Sequence, residues 1–482
     1  MRTHLRFLAL ALVIGSPLGA QARTAPDRTA SLLTNLDARS AHYGDVARQI
    51  WGFAEVGFQE VKSSALLQGE LANAGFRVTK GVAGMPTAFT AEFGSGKPVI
   101  ALLGEFDALP GLSQDTTAVP SPLVAGGAGH GCGHHLFGTA AVASAVALKE
   151  WMIANKVVGT LRFYGTPAEE GGSGKVYMVR DGLFSDVDAA VTWHPGDKNE
   201  VAGTSSLANI SGKFKFHGLS AHAAAAPEQG RSALDAVEVM DVMTNFLREH
   251  VPQESRIHYV ITNGGKAPNV VPDVAEVFYT VRHPQMSVVD DIWERVQNAA
   301  KGAALGTGTT YELTVISSVY NLLINQTLAR VQQRALERVG GFTYTTDERA
   351  FAEKLQKTLF KSSVPLESTA LVQPLDLTSP PGGGSTDVGD VSWNVPTVQL
   401  DAATWVPGTP AHSWQAVAAG GTSIGTKGMM VAAKTMALTA AELFTSPATI
   451  AAAKTELDKA RGANFRYATH LGTQKPALDY RK

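Results

Sequence analysis

The sequence predicts an α/β fold in which one α/β domain is interrupted by a smaller α+β domain. In the first part of the chain, apolar runs of strand length alternate with helical patterns, which is typical of a sheet covered by helices on both faces. Between residues 206 and 318 the order of the predicted elements changes to β-α-β-β-α-β. Helical patterns and one strand follow from residue 319 onward. We therefore expect a three-layer α/β domain with a second domain inserted into it.

The first 22 residues have the composition of a signal peptide. Arg2 and Arg6 give a basic start, an apolar run covers residues 7–18, and Ala20-Gln21-Ala22 matches the small-residue cleavage pattern. The apolar run is too short to span a bilayer. We expect cleavage after residue 22 and a periplasmic or secreted mature chain without membrane attachment.

The first part of the main domain, residues 23–205, begins with a helical pattern over residues 23–62 and strands at 76–78 and 88–93. The apolar run Val99–Gly104 predicts a buried parallel strand that ends in Glu105 and Asp107. A helix at 135–155 and strands at 161–164 and 189–193 follow. Because α/β sheets bind ligands at the carboxyl ends of their strands, the residues that follow each strand are candidate site residues.

Residues 206–318 predict a ferredoxin-like domain inserted into the main domain. Its strands are expected at 207–216, 256–262, 274–281 and 310–316, and its helices at 231–250 and 288–303. The main domain then resumes over residues 319–482. Its second part has predicted helices at 321–339, 348–360 and 427–444, the last being the C-terminal helix, and a strand at 397–400.

Composition and charge exclude several classes of protein. The chain of 482 residues is 44% hydrophobic and 17% charged, which indicates a large buried core rather than a disordered chain. Lys and Arg number 41 against 43 Asp and Glu, so no excess positive charge favours nucleic acid or an anionic membrane as the main partner. The single Cys excludes an intrachain disulfide.

Three segments carry residue types that bind metals. Cys132 and His134 lie two apart in a glycine loop, so an extended backbone directs both side chains the same way. Glu169 and Glu170 follow the strand at 161–164, where one carboxylate can bind a metal while the other acts as a general base. His194 follows the strand at 189–193. Each segment alone is compatible with a buried or solvated structural role, but together they favour a metal site.

In this order the motifs resemble those of metallopeptidase family 20, the dinuclear peptidases and amidohydrolases that include aminoacylases, indole-acetyl-amino-acid hydrolases and carboxypeptidases. The motifs are Gly104-Glu105-Phe106-Asp107-Ala108-Leu109-Pro110, Cys132-Gly133-His134, Pro167-Ala168-Glu169-Glu170 and Trp193-His194. The loop at 131–138 and the segment at 384–390 are most similar to the aminobenzoyl-glutamate utilization protein B branch. The resemblance covers nearly all of the mature chain.

The resemblance implies a centre of two divalent metal ions, Zn²⁺ or Mn²⁺, with one thiolate, three imidazole and one carboxylate ligands. The implied ligands are Cys132, His134, Glu170, His194 and His412. Glu169 would be the general base, and Asp107 would be the acid that orients the site. Metal binding would also explain an unpaired Cys in an exported protein.

The resemblance also implies that the inserted domain forms a homodimer. His222 would then reach the partner's active site and stabilise the oxyanion, while Asn269 and Arg282 would hold a substrate carboxylate. Two positions depart from the family. His135 stands where the amidohydrolases usually have Asp, and Glu105 stands where relatives have His or Asp, so the roles of both stay open.

The implied function is hydrolysis of the amide bond of an N-acyl or N-aroyl amino acid with a free carboxylate, similar to aminobenzoyl-glutamate. Water bound at the metals would attack, with Glu169 as general base. A dipeptidase or carboxypeptidase of the same fold, and a non-catalytic exported metal or amino-acid binding protein, are alternatives. A serine hydrolase is a further alternative because residues 421–425 match G-x-S-x-G, although only His470 follows them.

Overall fold

The computed structural model describes residues 27–360 and 363–481 and has a mixed α/β architecture with two sheets. The predicted fold class is confirmed. The predicted signal peptide, residues 1–22, lies outside the described residues.

The elements before the second sheet form the first part of the main domain. In chain order they are α1 Ala30–Ala38, α2 Ser40–Phe53, α3 Val61–Asn73, β1 Arg77–Lys80, β2 Phe89–Ser95, β3 Val99–Gly104, α4 His134–Asn155, β4 Gly159–Gly165, α5 Glu169–Gly172, α6 Gly174–Arg180, β5 Ala189–Gly196 and β6 Glu200–Val201.

The elements of the second sheet and its helices come next in the chain. They are β7 Ala208–His217, α7 Ala233–Leu247, β8 Arg256–Asn263, β9 Val274–His283, α8 Met286–Thr307 and β10 Thr310–Val319. The main domain then continues with α9 Gln326–Val339, α10 Thr346–Gln356, α11 Val388–Ser392, β11 Thr397–Ala403, α12 Trp414–Gly420, α13 Ser423–Thr445 and α14 Pro447–Arg461.

The larger sheet has seven strands in the order β1-β2-β4-β3-β5-β11-β6. The four central strands, β4, β3, β5 and β11, are parallel, so their carboxyl ends lie at one edge. Every residue of β3 is buried because both faces are covered. Ile100 and Leu102 pack with α4 and α13, whereas Ala101 and Leu103 pack with α6 and α11. The alternation of side chains along a strand thus produces the three layers.

The smaller sheet is antiparallel and has the order β10-β7-β9-β8. Along β9 every second side chain is buried, among them Val277, Tyr279 and Val281, which pack with apolar residues of α7 and α8. This period of two is expected when helices cover one face of an antiparallel sheet. The β-α-β-β-α-β order agrees with the sequence pattern.

Element boundaries differ from the sequence prediction where local capping decides them. The helix predicted from residue 321 begins at Gln326, because the Asn325 side chain accepts a hydrogen bond from the Leu328 backbone N–H. The helix predicted at residues 427–444 is present as α13, but the prediction that it is the C-terminal helix is wrong. α13 ends at Thr445, and α14 follows with Pro447 at its first position, where its missing N–H costs no hydrogen bond.

Among the described residues, α4 is long and apolar enough by composition to cross a membrane. In the structure, 83% of the apolar 18-residue stretch of α4 is buried inside the protein. Ala140, Ala143 and Ala147 allow α4 to pack closely in the layer that it shares with α13. Its apolar composition is therefore that of a core helix enclosed on all sides.

Candidate metal centre

The predicted metal ligands meet at the carboxyl ends of the central strands. Glu170 follows β4, His194 lies near the end of β5, and His412 lies in the loop after β11. Cys132 and His134 lie at the beginning of α4, after the long connection from β3. The structure thus brings together all five residues from segments far apart in the chain, at the edge where α/β sheets bind ligands.

Among the described residues, three groups of three residues could hold a metal ion, and two of these groups consist of the predicted ligands, with ligand atoms within 4.8 Å of one another. Cys132, His134 and His194 form the first group, with 3.4 Å between the Cys132 Sγ and His194 Nε2 atoms. Cys132, Glu170 and His412 form the second, with 3.2 Å between Glu170 Oε1 and His412 Nε2. Cys132 belongs to both groups, so its sulfur lies between them.

Unpaired polar atoms in the cluster indicate that the residues fit a cation. His134 Nε2 and Glu105 Oε2 are buried and form an ion pair at 3.0 Å, but neither atom makes a hydrogen bond among the described residues. Glu170 Oε1 is likewise buried, and its near neighbour is His412 Nε2, another predicted ligand atom, at 3.2 Å. Buried polar atoms normally have a partner. A thiol, imidazoles and a carboxylate with free acceptor atoms are the donor set that zinc uses in proteins.

Asp107 lies behind the cluster and orients two of its members. One carboxylate oxygen of Asp107 lies 2.9 Å from His134 Nδ1, and the other accepts the Glu170 backbone N–H at 2.9 Å. A hydrogen bond at Nδ1 leaves Nε2 as the free ring atom, which is the usual arrangement behind a ligand histidine. Burial alone would raise the pKa of Asp107, but the neighbouring His134 outweighs it and lowers the pKa.

Glu169 stands beside the cluster without belonging to either group of predicted ligands. One of its oxygens lies within 4.8 Å of ligand atoms of Glu105 and His134. Burial, together with the carboxylates of Glu105 and Glu170, raises the pKa of Glu169 well above its ordinary value. A carboxyl group that holds a proton readily in a cleft is a candidate for general acid–base chemistry.

The loop that carries the two glutamates has an unusual backbone. Ala168 and Ser173, at its two ends, have φ values of 57°, in the left-handed region that side chains normally avoid. The buried carboxylate of Glu60 holds the first end, because it accepts the Ala168 backbone N–H at 2.8 Å and the Thr87 hydroxyl at 2.9 Å. Burial and the charge of Asp107 raise the pKa of Glu60 to about 8. Strained backbone of this kind persists only where the surroundings hold it.

Comparison with known proteins agrees with a metal site formed by these residues. The sequence model described as Peptidase family M20/M25/M40 matches residues 101–370, which is more than half of the chain. The chain belongs to this family. It is therefore a metal-dependent amide hydrolase.

Two curated relatives resemble the chain over most of their length, and one solved structure has a similar fold. One subunit of the p-aminobenzoyl-glutamate hydrolase of Escherichia coli (strain K12) is 46% identical, over 85% of this chain and 90% of its own. Xaa-Arg dipeptidase of Mus musculus is 28% identical, over 87% and 90% of the two chains. The fold is also similar to that of an aminobenzoyl-glutamate utilization protein from Klebsiella pneumoniae, with a TM-score of 0.60, 18% identity, and coverage of 85% and 98%.

Next to the cluster of predicted metal ligands lies a buried ionic network that the sequence pattern does not reveal. The Lys175 ammonium lies 2.6 Å from both Glu105 Oε1 and Asp387 Oδ1, and all three side chains are buried. The Lys175 backbone N–H also donates to Asp387 at 2.9 Å. In sequence Lys175 looks like a solvated residue, and only the contact of α6 with α11 reveals its partners.

The two positions that depart from the family pattern have different surroundings. Glu105 joins the ionic network to the cluster, with one oxygen on Lys175 and the other facing His134. His135 faces away from the cluster, and its Nε2 lies 3.0 Å from the Gly420 carbonyl oxygen. Burial lowers the pKa of His135 to about 3, so the ring is neutral.

The predicted site residues of the inserted domain lie outside the cluster. His222 and Asn269 are both exposed, and their loops are joined by the hydrogen bond from the Ala223 N–H to the Asn269 carbonyl oxygen at 3.0 Å. Arg282 is half-buried on β9 and donates to the Ser385 hydroxyl at 3.0 Å, two residues before Asp387. Within the described ranges, the hydrogen bonds of these three residues do not reach the five predicted ligands.

The serine-hydrolase alternative lacks its geometry in the described part of the chain. The Ser423 hydroxyl donates to Glu348 at 2.6 Å instead of to a histidine. His470 pairs with Asp290 at 2.8 Å on the inserted domain. The G-x-S-x-G match is therefore the beginning of α13 and not a nucleophile elbow.

Proposed function

We propose that this M20 enzyme hydrolyses the amide bond of N-acyl or N-aroyl amino acids that carry a free carboxylate. The observation that carries the proposal is the position of Glu169, a carboxyl group with a raised pKa beside a cluster of five metal-ligand residues. A protein that only bound metal or amino acids would have no use for such an additional carboxyl group. The non-catalytic alternative therefore leaves Glu169 unexplained.

The metal requirement is proposed as two divalent ions. Cys132, His134, Glu170, His194 and His412 would hold them, and the sulfur and nitrogen donors favour zinc while the carboxylate also admits manganese. When bound, such ions make a water acidic and polarise the amide carbonyl. The division of the ligand atoms into two groups that share Cys132 supports two ions.

The residues of the chain supply the proton transfers and the orientation. Glu169 removes a proton from the attacking water and then delivers it to the amine nitrogen as the C–N bond breaks. Asp107 keeps the His134 ring in one orientation through its hydrogen bond to Nδ1. Asn269 and the guanidinium of Arg282 are proposed to hold the substrate carboxylate, and His222 of a second copy would donate to the oxyanion.

Two relatives suggest the substrates to test first. The 46% identical protein is named for p-aminobenzoyl-glutamate, an N-aroyl amino acid. The 28% identical relative is a dipeptidase named for Xaa-Arg, which makes dipeptide hydrolysis the second candidate function. Both substrates have an amide bond next to a free carboxylate, which suits Arg282.

A homodimer through the inserted domain is proposed from an exposed apolar face. On α7 this face consists of Val242, Met243 and Phe246, and Phe246 is 67% exposed. On β8, the edge strand of the smaller sheet, Val260 and Ile261 are also exposed. Exposed apolar side chains on a helix, together with an open strand edge in the same domain, are typical of a protein–protein interface. The E. coli relative is named as one subunit of a hydrolase, so the purified chain should also be assayed alone.

Export of the mature chain is proposed from the composition of residues 1–22. Expression of the whole sequence in a bacterium should yield a periplasmic or secreted protein whose N-terminus is Arg23. An intact Met1 on the folded protein would contradict this proposal.

The proposed function can be tested by chelation and restoration of activity. The purified protein is treated with a chelator and assayed with p-aminobenzoyl-glutamate, other N-acyl amino acids and Xaa-Arg dipeptides. We expect loss of hydrolysis and recovery with Zn²⁺ or Mn²⁺ at about two ions per chain. Hydrolysis that chelators leave unchanged, or a fully metallated protein that cleaves none of these amides, would contradict the proposal.

A further inference from the structure

Residues 462–481, which we call the strap, contain neither helix nor strand in the structure but contact both domains. Near its beginning, the Tyr467 hydroxyl donates to the buried Asp390 at 2.7 Å. In the middle, His470 pairs with Asp290 of α8, and the Gln474 side chain donates to the Val315 carbonyl of β10 at 2.8 Å. The strap therefore joins the inserted domain to the main domain.

The far end of the strap lies on the loop that carries Glu169 and Glu170. The Tyr480 hydroxyl and the Arg481 guanidinium both donate to the Glu170 backbone carbonyl, at 2.9 and 2.8 Å. The Gln59 side chain fixes this end further by donating to the Leu478 carbonyl at 2.6 Å. The same peptide unit of the catalytic loop thus has two donors from the strap.

Packing around Tyr480 indicates that the contact is specific. Its ring meets the Phe58 ring edge-on, with 5.7 Å between the ring centres. A side chain at Gly57 would collide with the Tyr480 hydroxyl, so this glycine leaves the space that the hydroxyl occupies. Leu471, also on the strap, is buried in the same apolar cluster as Phe58 and Ala168.

The loop needs external support because its backbone is strained. Ala168 and Ser173 have positive φ values, and the Glu170 backbone angles, φ −68° and ψ 63°, are not helical. On the other side of the loop, Arg180 at the end of α6 donates to the carbonyl oxygens of Gly472 and Gln474. The strap therefore forms hydrogen bonds with both the loop and α6, the helix that follows it.

We propose that Tyr480 and Arg481 are positioning residues of the M20 active site. They fix the Glu170 peptide, and with it the direction of the adjacent Glu169 carboxylate beside the metal ligands. Neither residue touches the predicted ligand atoms, so both act through the loop. This inference rests on the proposed function only for its kinetic consequence, since the contacts themselves can be tested without activity.

The test uses Tyr480→Phe, Arg481→Ala and the double variant, all in the full chain. Lys475→Ala is the matched control, because Lys475 is exposed on the strap and has no part in the contacts above. Arg481→Lys is the conservative variant, which keeps a cationic donor. We expect kcat of the double variant for the best amide substrate to fall roughly tenfold or more, as for a misplaced reacting group, with KM and metal content within about twofold of wild type. Arg481→Lys should restore most of the loss seen in Arg481→Ala.

A second readout does not depend on turnover. In metal-free protein, hydrogen exchange of the backbone amides in residues 168–173 should be faster in the double variant than in wild type and in Lys475→Ala. Unchanged kcat and unchanged exchange in the double variant would overturn the inference. A loss of kcat/KM that comes entirely from a rise in KM would also overturn it. If wild type cleaves no amide, the proposed function fails, and the exchange rates alone decide whether the strap holds the loop.

Discussion

At the scale of single residues, Glu105 shows how neighbours that are distant in sequence define a role. One carboxylate oxygen meets the Lys175 ammonium at 2.6 Å, and the other lies 3.0 Å from His134 Nε2. One oxygen of Glu105 is thus tied to a buried cation, and only the other faces the predicted metal ligands. Its sequence position suggested a possible ligand, but the structure gives it a partner that the sequence did not reveal. The charge of Lys175 is what allows several carboxylates to be buried so close together.

Replacing Lys175 tests the importance of this charge. Lys175→Met should lower the free energy of unfolding by about 3–5 kcal/mol, because the buried carboxylates of Glu105 and Asp387 would lose the counter-charge that they share. Denaturant unfolding measures the loss. In Lys175→Met/Asp387→Asn one of the two carboxylates is neutral, so the double variant should be more stable than the single one. Equal stability of Lys175→Met and wild type would contradict the network.

Asp390 gives a prediction about pH. Burial raises its pKa to about 8, although Tyr467 and the Tyr320 N–H donate hydrogen bonds to it. Between about pH 4 and 8 the folded protein therefore holds a proton that the unfolded chain has released, and stability should fall as pH rises. Asp390→Asn removes this titration, so its melting temperature relative to wild type should increase from pH 5 to pH 8. A difference that is constant over this range would contradict the assignment.

At the scale of elements, helices and strands with a strong hydrophobic periodicity could be predicted from the sequence, whereas irregular backbone in loops could not. The buried strand β3 and the β-α-β-β-α-β unit follow from apolar runs and alternation that the sequence shows directly. The position of the loop that carries Glu169 and Glu170, after β4, could be predicted from the sequence. Its backbone conformation could not, because contacts with Glu60 and the strap, which are distant in sequence, determine it. Lys175 was missed for the same reason. The five predicted ligands could be named because the family that the sequence resembles has motifs at these positions, and the parallel strands help to bring them together.

Gly428 and Gly69, each within a helix, form a matched pair of positions at which helix packing can be tested. A side chain at Gly428 of α13 would collide with the Ala403 backbone carbonyl of β11, whereas at Gly69 of α3 it would meet no atom within 4 Å. Gly428→Ala should therefore destabilise by about 1–3 kcal/mol, since backbone cannot move aside easily. Gly69→Ala should stabilise by about 0.5–1 kcal/mol because alanine favours helix. Thermal unfolding of both variants compares them, and a stabilising Gly428→Ala would refute this packing of α13.

At the scale of the whole molecule, the arrangement of the two domains points to assembly. His222 and Asn269 are exposed on the inserted domain, and the M20 cluster lies at the edge of the other sheet. If these residues act in catalysis as proposed, a second copy must bring them to the cluster. The apolar face of α7 and β8 is the surface through which that copy would bind.

The assembly proposal predicts the effect of one surface substitution. Wild type should be a dimer by light scattering, and Phe246→Glu should shift it towards monomer and reduce hydrolysis by roughly 10²-fold, the cost of losing an oxyanion donor. Val158→Glu is the matched control, because Val158 is exposed and apolar but lies on the main domain. A monomeric wild type with full activity would contradict the role of the second copy.

The position of Glu169 beside the five ligands is the claim that supports the whole account, and Glu169→Gln tests it most directly. Metal content per chain and hydrolysis of p-aminobenzoyl-glutamate are measured on the same preparation of the variant and of wild type. We predict that the variant binds as much metal as wild type, about two ions per chain, and loses at least about 10²-fold in kcat. Full activity of Glu169→Gln, or loss of its metal, would contradict the assignment of this residue as a base that does not bind the ions.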